Sequence, residues 1–239
     1  MVEPLSDIKK LKNNQTIPDI SVKSIYYLKP FEVEPLNWSS YSFKFPNMCR
    51  VGVIADGSCF FHAVAQSYYK VYRRGRLNDV VLDRLKFIRQ LRLELASKLG
   101  DPVDEDDQES PSHYQIISRG EMESFGEIVP QYSLNSMKAE LASDRPVDNA
   151  YNEFISDILN KDIYILDVMK KDIYVTGKDL DILYKGRESI VLLYIPGHYE
   201  LVGIRNNNND IKTLFAPDHP FIRSIQTRMM ELISMGSEI

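Results

Sequence analysis

From Cys59 to Arg73 the chain runs without glycine or proline, and its apolar residues fall on nearly every side of a helix. Phe60, Phe61, Val64, Ala65, Tyr68, Val71 and Tyr72 cover most of the circumference. A helix that is apolar on most sides is buried on most sides. The spacing therefore predicts a central helix around which the rest of the chain packs, with Gly75 as its stop.

Before it, Val51 to Ala55 is short and β-branched and runs into Asp56-Gly57, a strand or extended piece meeting a turn. After it, Val81, Leu85, Ile88, Leu95 and Leu99 recur at helical spacing, predicting a helix over about 80–98 closed by Gly100. Arg84, Arg89 and Arg92 occupy much of the rest of that helix and read as a solvated basic face. Asp101 to Glu109 holds six acidic residues and reads as a solvated loop. Helical segments are expected on to about Leu141, and Phe154, Ile155, Ile158 and Leu159 mark another helix. From Ile163 the pattern turns to strands: 163–168, 173–175, 190–195 and 199–204, then a loop at 206–210. A short amphipathic helix is expected over 225–233. Helices come mainly first and strands mainly later, which argues an α+β fold.

Residues 1–47 carry five prolines and no sustained helical period, and are read as an N-terminal extension, with extended backbone expected at Val22 to Leu28. Residues 48–239 are read as one domain ending in the C-terminal helix. The net charge of -5 points neither to nucleic acid nor to an anionic membrane. No apolar run approaches the roughly 20 residues of a spanning helix, and Met1 to Lys10 does not read as a signal peptide. With Cys49 and Cys59 the only cysteines, no disulfide framework is expected, and an intracellular, reducing setting is the natural reading.

Cys59 follows Asp56-Gly57-Ser58 and opens the central helix. A helix N-terminus presents free N–H groups and the positive end of the macrodipole, both of which favour a thiolate. The same groups, with the turn of Asp56, Gly57 and Ser58 before them, suit a developing oxyanion. Read locally, the position suits a small buried hydrophobe equally well.

A thiolate nucleophile needs a base to hold the ion pair and protonate the leaving amine. His198 follows Pro196-Gly197 and precedes the strand 199–204, which puts it on a rigid element beside a turn. Glu200, two residues on, shares its strand face and could orient the ring. His62 is the competing base, one turn into the helix from Cys59, but its apolar setting reads as a packed, hydrogen-bonded histidine. His113 and His219 read as surface or turn residues, and Cys49 as structural. Cys49, Cys59 and His62 match no metal-ligand spacing, so neither metal nor cofactor is expected.

Asp56-Gly57-Ser58-Cys59-Phe60-Phe61-His62-Ala63-Val64 resembles the nucleophile motif of the ovarian-tumour (OTU) deubiquitinases, and Gly197-His198-Tyr199-Glu200-Leu201-Val202 resembles that family's histidine motif. The resemblance spans about Arg50 to Ile204, and the paired phenylalanines and Gly-His-Tyr-Glu-Leu are most similar to members from large DNA viruses. It implies a papain-like cysteine protease fold with a small sheet held between helical lobes. It implies cleavage after the C-terminal glycine of ubiquitin, with Cys59 attacking and His198 acting as base and then acid. The Asp56 to Cys59 turn would form the oxyanion hole. Partners would be ubiquitin, polyubiquitin chains, ubiquitinated proteins or ubiquitin-like modifiers, in the cytoplasm, of a host cell if the protein is viral. The family usually has Asp or Asn where Glu200 stands, so the third role is open between Glu200 and Asp56. Two rivals are a ubiquitin-binding module without activity and a thiol acyltransferase using the same dyad.

Overall fold

A computed structural model of the chain describes residues 26–36, 43, 45–107, 109–117, 129–147, 149–174 and 185–236. Most of the proline-bearing N-terminal segment, Val22 to Ile25 and Val175 lie outside the described residues. The described residues group into two compact units. One takes the described part of Met1–Ala55, Cys59–Leu82 and Lys161–Ile239; the other takes Asp56–Ser58 and Asp83–Asn160.

The first unit is built on a mixed sheet. Its strands are β1 (Val33–Pro35), β2 (Met48–Val51), β5 (Asp162–Asp167), β6 (Asp172–Ile173), β7 (Ser189–Ile195) and β8 (His198–Arg205), ordered β1-β2-β8-β7-β5-β6. Short strands β9 (Ile211–Lys212) and β10 (Leu214–Phe215) add to β8 and β7. Among the described strands only β5 and β7 pair in parallel. Every residue of β5 and nearly every residue of β7 is buried, which explains the apolar runs 163–166 and 190–195 within them. Pro196-Gly197 joins β7 to β8, with Gly197 at φ +80°, and sets Ile195 opposite His198. Proline followed by a positive-φ glycine suits a tight turn of this kind.

Two helices cover the sheet. Phe221, Ile222, Ile225 and Met229 of the C-terminal helix α7 (Pro220–Gly236) pack with Tyr164, Leu166, Val191, Leu193, Ile195 and Val202. This helix begins five residues earlier than its apolar periodicity indicates. The central helix α1 (Cys59–Tyr68) packs on β7 and β8 and is buried at every position but its last. The ring of Phe60 meets that of Tyr199 edge-on, centroids 5.4 Å apart. The helical run breaks at Tyr69, which is extended, and resumes as α2 (Lys70–Arg74), closed by Gly75 at φ +66°. The strand expected over 51–55 lies earlier, as β2, whose Cys49 to Val51 pair with Pro35 to Val33.

The second unit holds α3 (Arg84–Lys98), α4 (His113–Ile116), α5 (Leu134–Ala142) and α6 (Asn152–Leu159), with α3 packed on α5. The helix expected over 80–98 starts only at Arg84, because the Asp83 side chain accepts the Lys86 N–H and caps it there. Val80 and Val81 pair instead with Arg76 and Leu77 as a two-stranded ribbon, β4 (Val80–Val81) with β3 (Arg76–Leu77), in the first unit. Val81 and Leu85 are exposed, not core. Asp101 to Asp107, and Glu109, form an exposed loop. No helix among the described residues is long and apolar enough to cross a membrane.

Candidate active site

Cys59 is the first residue of α1 and is 4% exposed. Its Sγ accepts the backbone N–H of Tyr199 at 3.4 Å. The fold therefore carries the thiol to the peptide that joins His198 to Tyr199, although 138 residues of sequence separate Cys59 from His198. An N–H aimed at the sulfur and the N-terminus of a buried helix both stabilise negative charge on it.

His198 opens β8 and is 2% exposed. The ring of Tyr27 lies over its imidazole, centroids 4.3 Å apart and planes inclined by 37°. The Tyr27 hydroxyl donates to the carbonyl of Pro196 at 2.7 Å. Nothing in the residue pattern of the N-terminal segment marked this contact; it arises from chain placed by the long-range pairing of β1 with β2.

Glu200 is fully buried, and the strand alternation puts it on the face that carries His198. Its Oε1 accepts the Leu28 N–H at 2.8 Å, and its Oε2 lies 3.4 Å from Arg50 Nη1. Arg50 in turn donates to Tyr26 O at 3.1 Å and Glu34 Oε2 at 3.0 Å. Burial pushes the Glu200 carboxyl up from its ordinary range, against the opposing pull of Arg50 and the Leu28 N–H.

The other cysteine and histidines have different surroundings. Cys49 sits on β2, donates to Gly203 O at 3.3 Å, and has its thiol pushed up to about 12, chiefly by burial. His62 is fully buried in α1, with Nδ1 hydrogen-bonded to the Tyr72 hydroxyl. His219 caps the start of α7, its Nδ1 accepting the Phe221 N–H at 3.2 Å. His113, expected at the surface, is half-buried against the ring of Phe154, and burial lowers its pKa.

The turn before Cys59 belongs to the second unit. Asp56 Oδ1 accepts the Ser58 N–H at 2.8 Å, closing the turn through a side chain. Within the turn the Ser58 N–H is thus engaged by the Asp56 side chain. A Cβ on Gly57 would stand 1.8 Å from Asp144 O, so this position accepts only glycine.

Arg92 corrects the expectation of a solvated basic face. It is fully buried, not solvated, and its guanidinium reaches five oxygens. Nε donates to Leu141 O at 2.8 Å; Nη1 to Ser58 Oγ at 2.8 Å and Gly57 O at 3.3 Å; Nη2 to Glu140 O at 3.0 Å and Arg145 O at 2.8 Å. A signal for this was present: Ile88, Arg92, Leu95 and Leu99 share the spacing of one helix face. Arg89, by contrast, makes an exposed ion pair with Asp144.

No protein-family model matches the chain, and no curated protein matches it significantly. Among solved structures, an ovarian-tumour (OTU) domain in complex with ubiquitin is 20% identical, over 78% of this chain and 85% of that one, with a TM-score of 0.48. The viral OTU domain protease from Farallon virus is 14% identical, over 69% and 96% of the two chains, with a TM-score of 0.33. That from Taggert virus is 15% identical, over 71% and 98%, with a TM-score of 0.34. All three are OTU domains.

Proposed function

We propose that the protein is a cysteine-type deubiquitinase of the OTU kind, hydrolysing the isopeptide or peptide bond after the C-terminal glycine of ubiquitin. The observation that carries this reading is the Cys59 Sγ held on the Tyr199 N–H, at the peptide following His198. Cys59 and the His198–Tyr199 peptide, one from each of the two motifs that resemble the OTU pattern, meet at this contact.

In the proposed reaction His198 takes the Cys59 proton, and the thiolate attacks the carbonyl carbon of the ubiquitin glycine. The N–H groups at the start of α1 stabilise the oxyanion that forms. His198 then gives its proton to the departing lysine amine, leaving ubiquitin as a thioester on Cys59. Water, deprotonated by His198, attacks the thioester; ubiquitin leaves as a carboxylate and the thiol is restored. Asp56 shapes the turn that presents Cys59. Glu200 supports His198 from the same strand. The partners are ubiquitin, polyubiquitin chains or ubiquitinated proteins, and ubiquitin-like modifiers are a further substrate class to assay.

Incubation with a panel of diubiquitins tests this. Monoubiquitin should appear with the parent chain and not with Cys59→Ala. Intact chains in every linkage, with ubiquitin-like conjugates also untouched, would exclude the reading.

A further inference from the structure

Residues 26–28 form no strand, yet each is tied to the sheet. Tyr26 O accepts from Arg50 at 3.1 Å, and the Tyr26 hydroxyl donates to the Glu34 carboxylate at 2.7 Å. Leu28 is 2% exposed and its N–H donates to Glu200 at 2.8 Å. Between these two anchors stands Tyr27, its ring over His198 and its hydroxyl on Pro196 O. Pro196 belongs to the turn that presents His198, so one side chain touches both the imidazole and the turn beneath it. Tyr27 is 47% exposed while His198 is 2% exposed, so the tyrosine is the half-open cover of a closed histidine.

We infer that Tyr27 is a positioning residue for His198, seated on the imidazole by a strap, Tyr26 to Leu28, that Glu200, Arg50 and Glu34 pin to the sheet. The inference rests on the Cys59–His198 reading above. The outer torsion of a histidine side chain is broad and nearly two-fold; a ring packed on one face narrows it. The negative face of the tyrosine ring also favours imidazolium over imidazole, which is the state the thiolate needs beside it. Glu200 then acts on His198 at one remove, by holding Leu28 and with it Tyr27. The ionisable groups on the elements around His198 are Cys59, His62 and Tyr68 on α1, Tyr199, Glu200 and Arg205 on β8, Cys49 and Arg50 on β2, Glu34 on β1, Tyr194 on β7, and Tyr26 beside Tyr27 on the strap.

Two variants separate the contributions. Tyr27→Phe keeps the ring and loses the bond to Pro196; Tyr27→Leu keeps bulk and loses the ring. The first readout is the pH dependence of Cys59 alkylation by iodoacetamide, mapped by mass spectrometry. The upper break of that profile reports loss of the imidazolium proton. In Tyr27→Leu it should fall by about half a pH unit, while Tyr27→Phe should stay with the parent. On a ubiquitin–fluorophore substrate, kcat of Tyr27→Leu should drop about tenfold with KM within about threefold of the parent. If Tyr27→Leu proves unstable on heating, Tyr27→Met is read in its place. A profile for the ring-less variant superimposable on the parent's, or a Tyr27→Phe variant as impaired as Tyr27→Leu, overturns the inference. The alkylation assay needs no ubiquitin. A parent that shows the ion-pair profile but cleaves no ubiquitin would therefore sink the substrate reading and leave the role of Tyr27 standing.

Discussion

The Sγ of Cys59 accepts the backbone N–H of Tyr199 at 3.4 Å, and Tyr199 is the residue after His198. Helix α1 delivers one partner and the turn into β8 delivers the other, both on buried, regular elements. If His198 is the base, His198→Ala should lower kcat on a ubiquitin–fluorophore substrate by at least about a hundredfold, with KM little changed. His62→Asn should keep most of its kcat and lose stability instead, since His62 of α1 is bonded to the buried Tyr72 of α2. A dead His62→Asn that is still folded would reassign the base.

The two thiols should differ sharply in reactivity. Burial pushes the Cys49 thiol up to about 12, so it stays protonated at pH 8 and is a poor nucleophile. Peptide mapping after brief iodoacetamide treatment should find Cys59 modified and Cys49 spared, and Cys49→Ala should retain activity. Equal labelling of both residues would contradict the assignment of Cys49 as structural.

Arg92 makes five bonds, two of them to Gly57 and Ser58 of the turn before the nucleophile and three to the carbonyls of Glu140, Leu141 and Arg145. Arg92→Met should cost about 1–3 kcal/mol for each buried acceptor that water does not reach. Arg92→Lys, with a compact ammonium in place of the planar fork, should rescue only part of this. Chemical denaturation measures the loss. An Arg92→Met chain as stable as the parent would show that the network is dispensable.

Glu200 should leave a signature in both stability and rate. Its carboxyl is held above the ordinary value of 4.5, chiefly by burial, so the folded state binds this proton more tightly than the unfolded chain. The contribution of this group to stability is therefore greatest at low pH. It declines as pH rises from about 4.5 through the raised folded value, because there the native state holds more protons. Melting temperatures of Glu200→Gln across that window should fall less steeply than the parent's. Glu200→Ala should lower kcat by roughly one to two orders of magnitude, and Glu200→Gln by less, since its amide oxygen still accepts the Leu28 N–H. A loss below about threefold in Glu200→Ala, beside a collapse in a folded Asp56→Ala, would move the supporting role to Asp56.

The α+β order, the central helix and the strands β5, β7 and β8 were legible because each bears its period over several residues. What was not legible depends on partners distant in sequence. Glu200 shares a strand face with His198, but the groups that engage its carboxylate, Leu28 and Arg50, lie 172 and 150 residues away. Residues 33–35 join the sheet through pairing with Cys49 to Val51, which proline content obscured. Val81 and Leu85 kept helical spacing with the core yet ended exposed, because Asp83 capped the helix between them and Val80-Val81 closed a local ribbon. Arg92 was misjudged by its charge although its spacing placed it on the buried face. The cap at Asp83 and the spacing of Arg92 were both there to be read in the residues.

The most direct test of the central claim uses ubiquitin carrying an electrophile in place of its C-terminal carboxylate, followed by intact-mass measurement and peptide mapping. One ubiquitin should add to the parent chain, at Cys59, and the adduct should vanish in Cys59→Ala while persisting in Cys49→Ala. A folded parent that forms no adduct, or forms it at Cys49, would contradict the account.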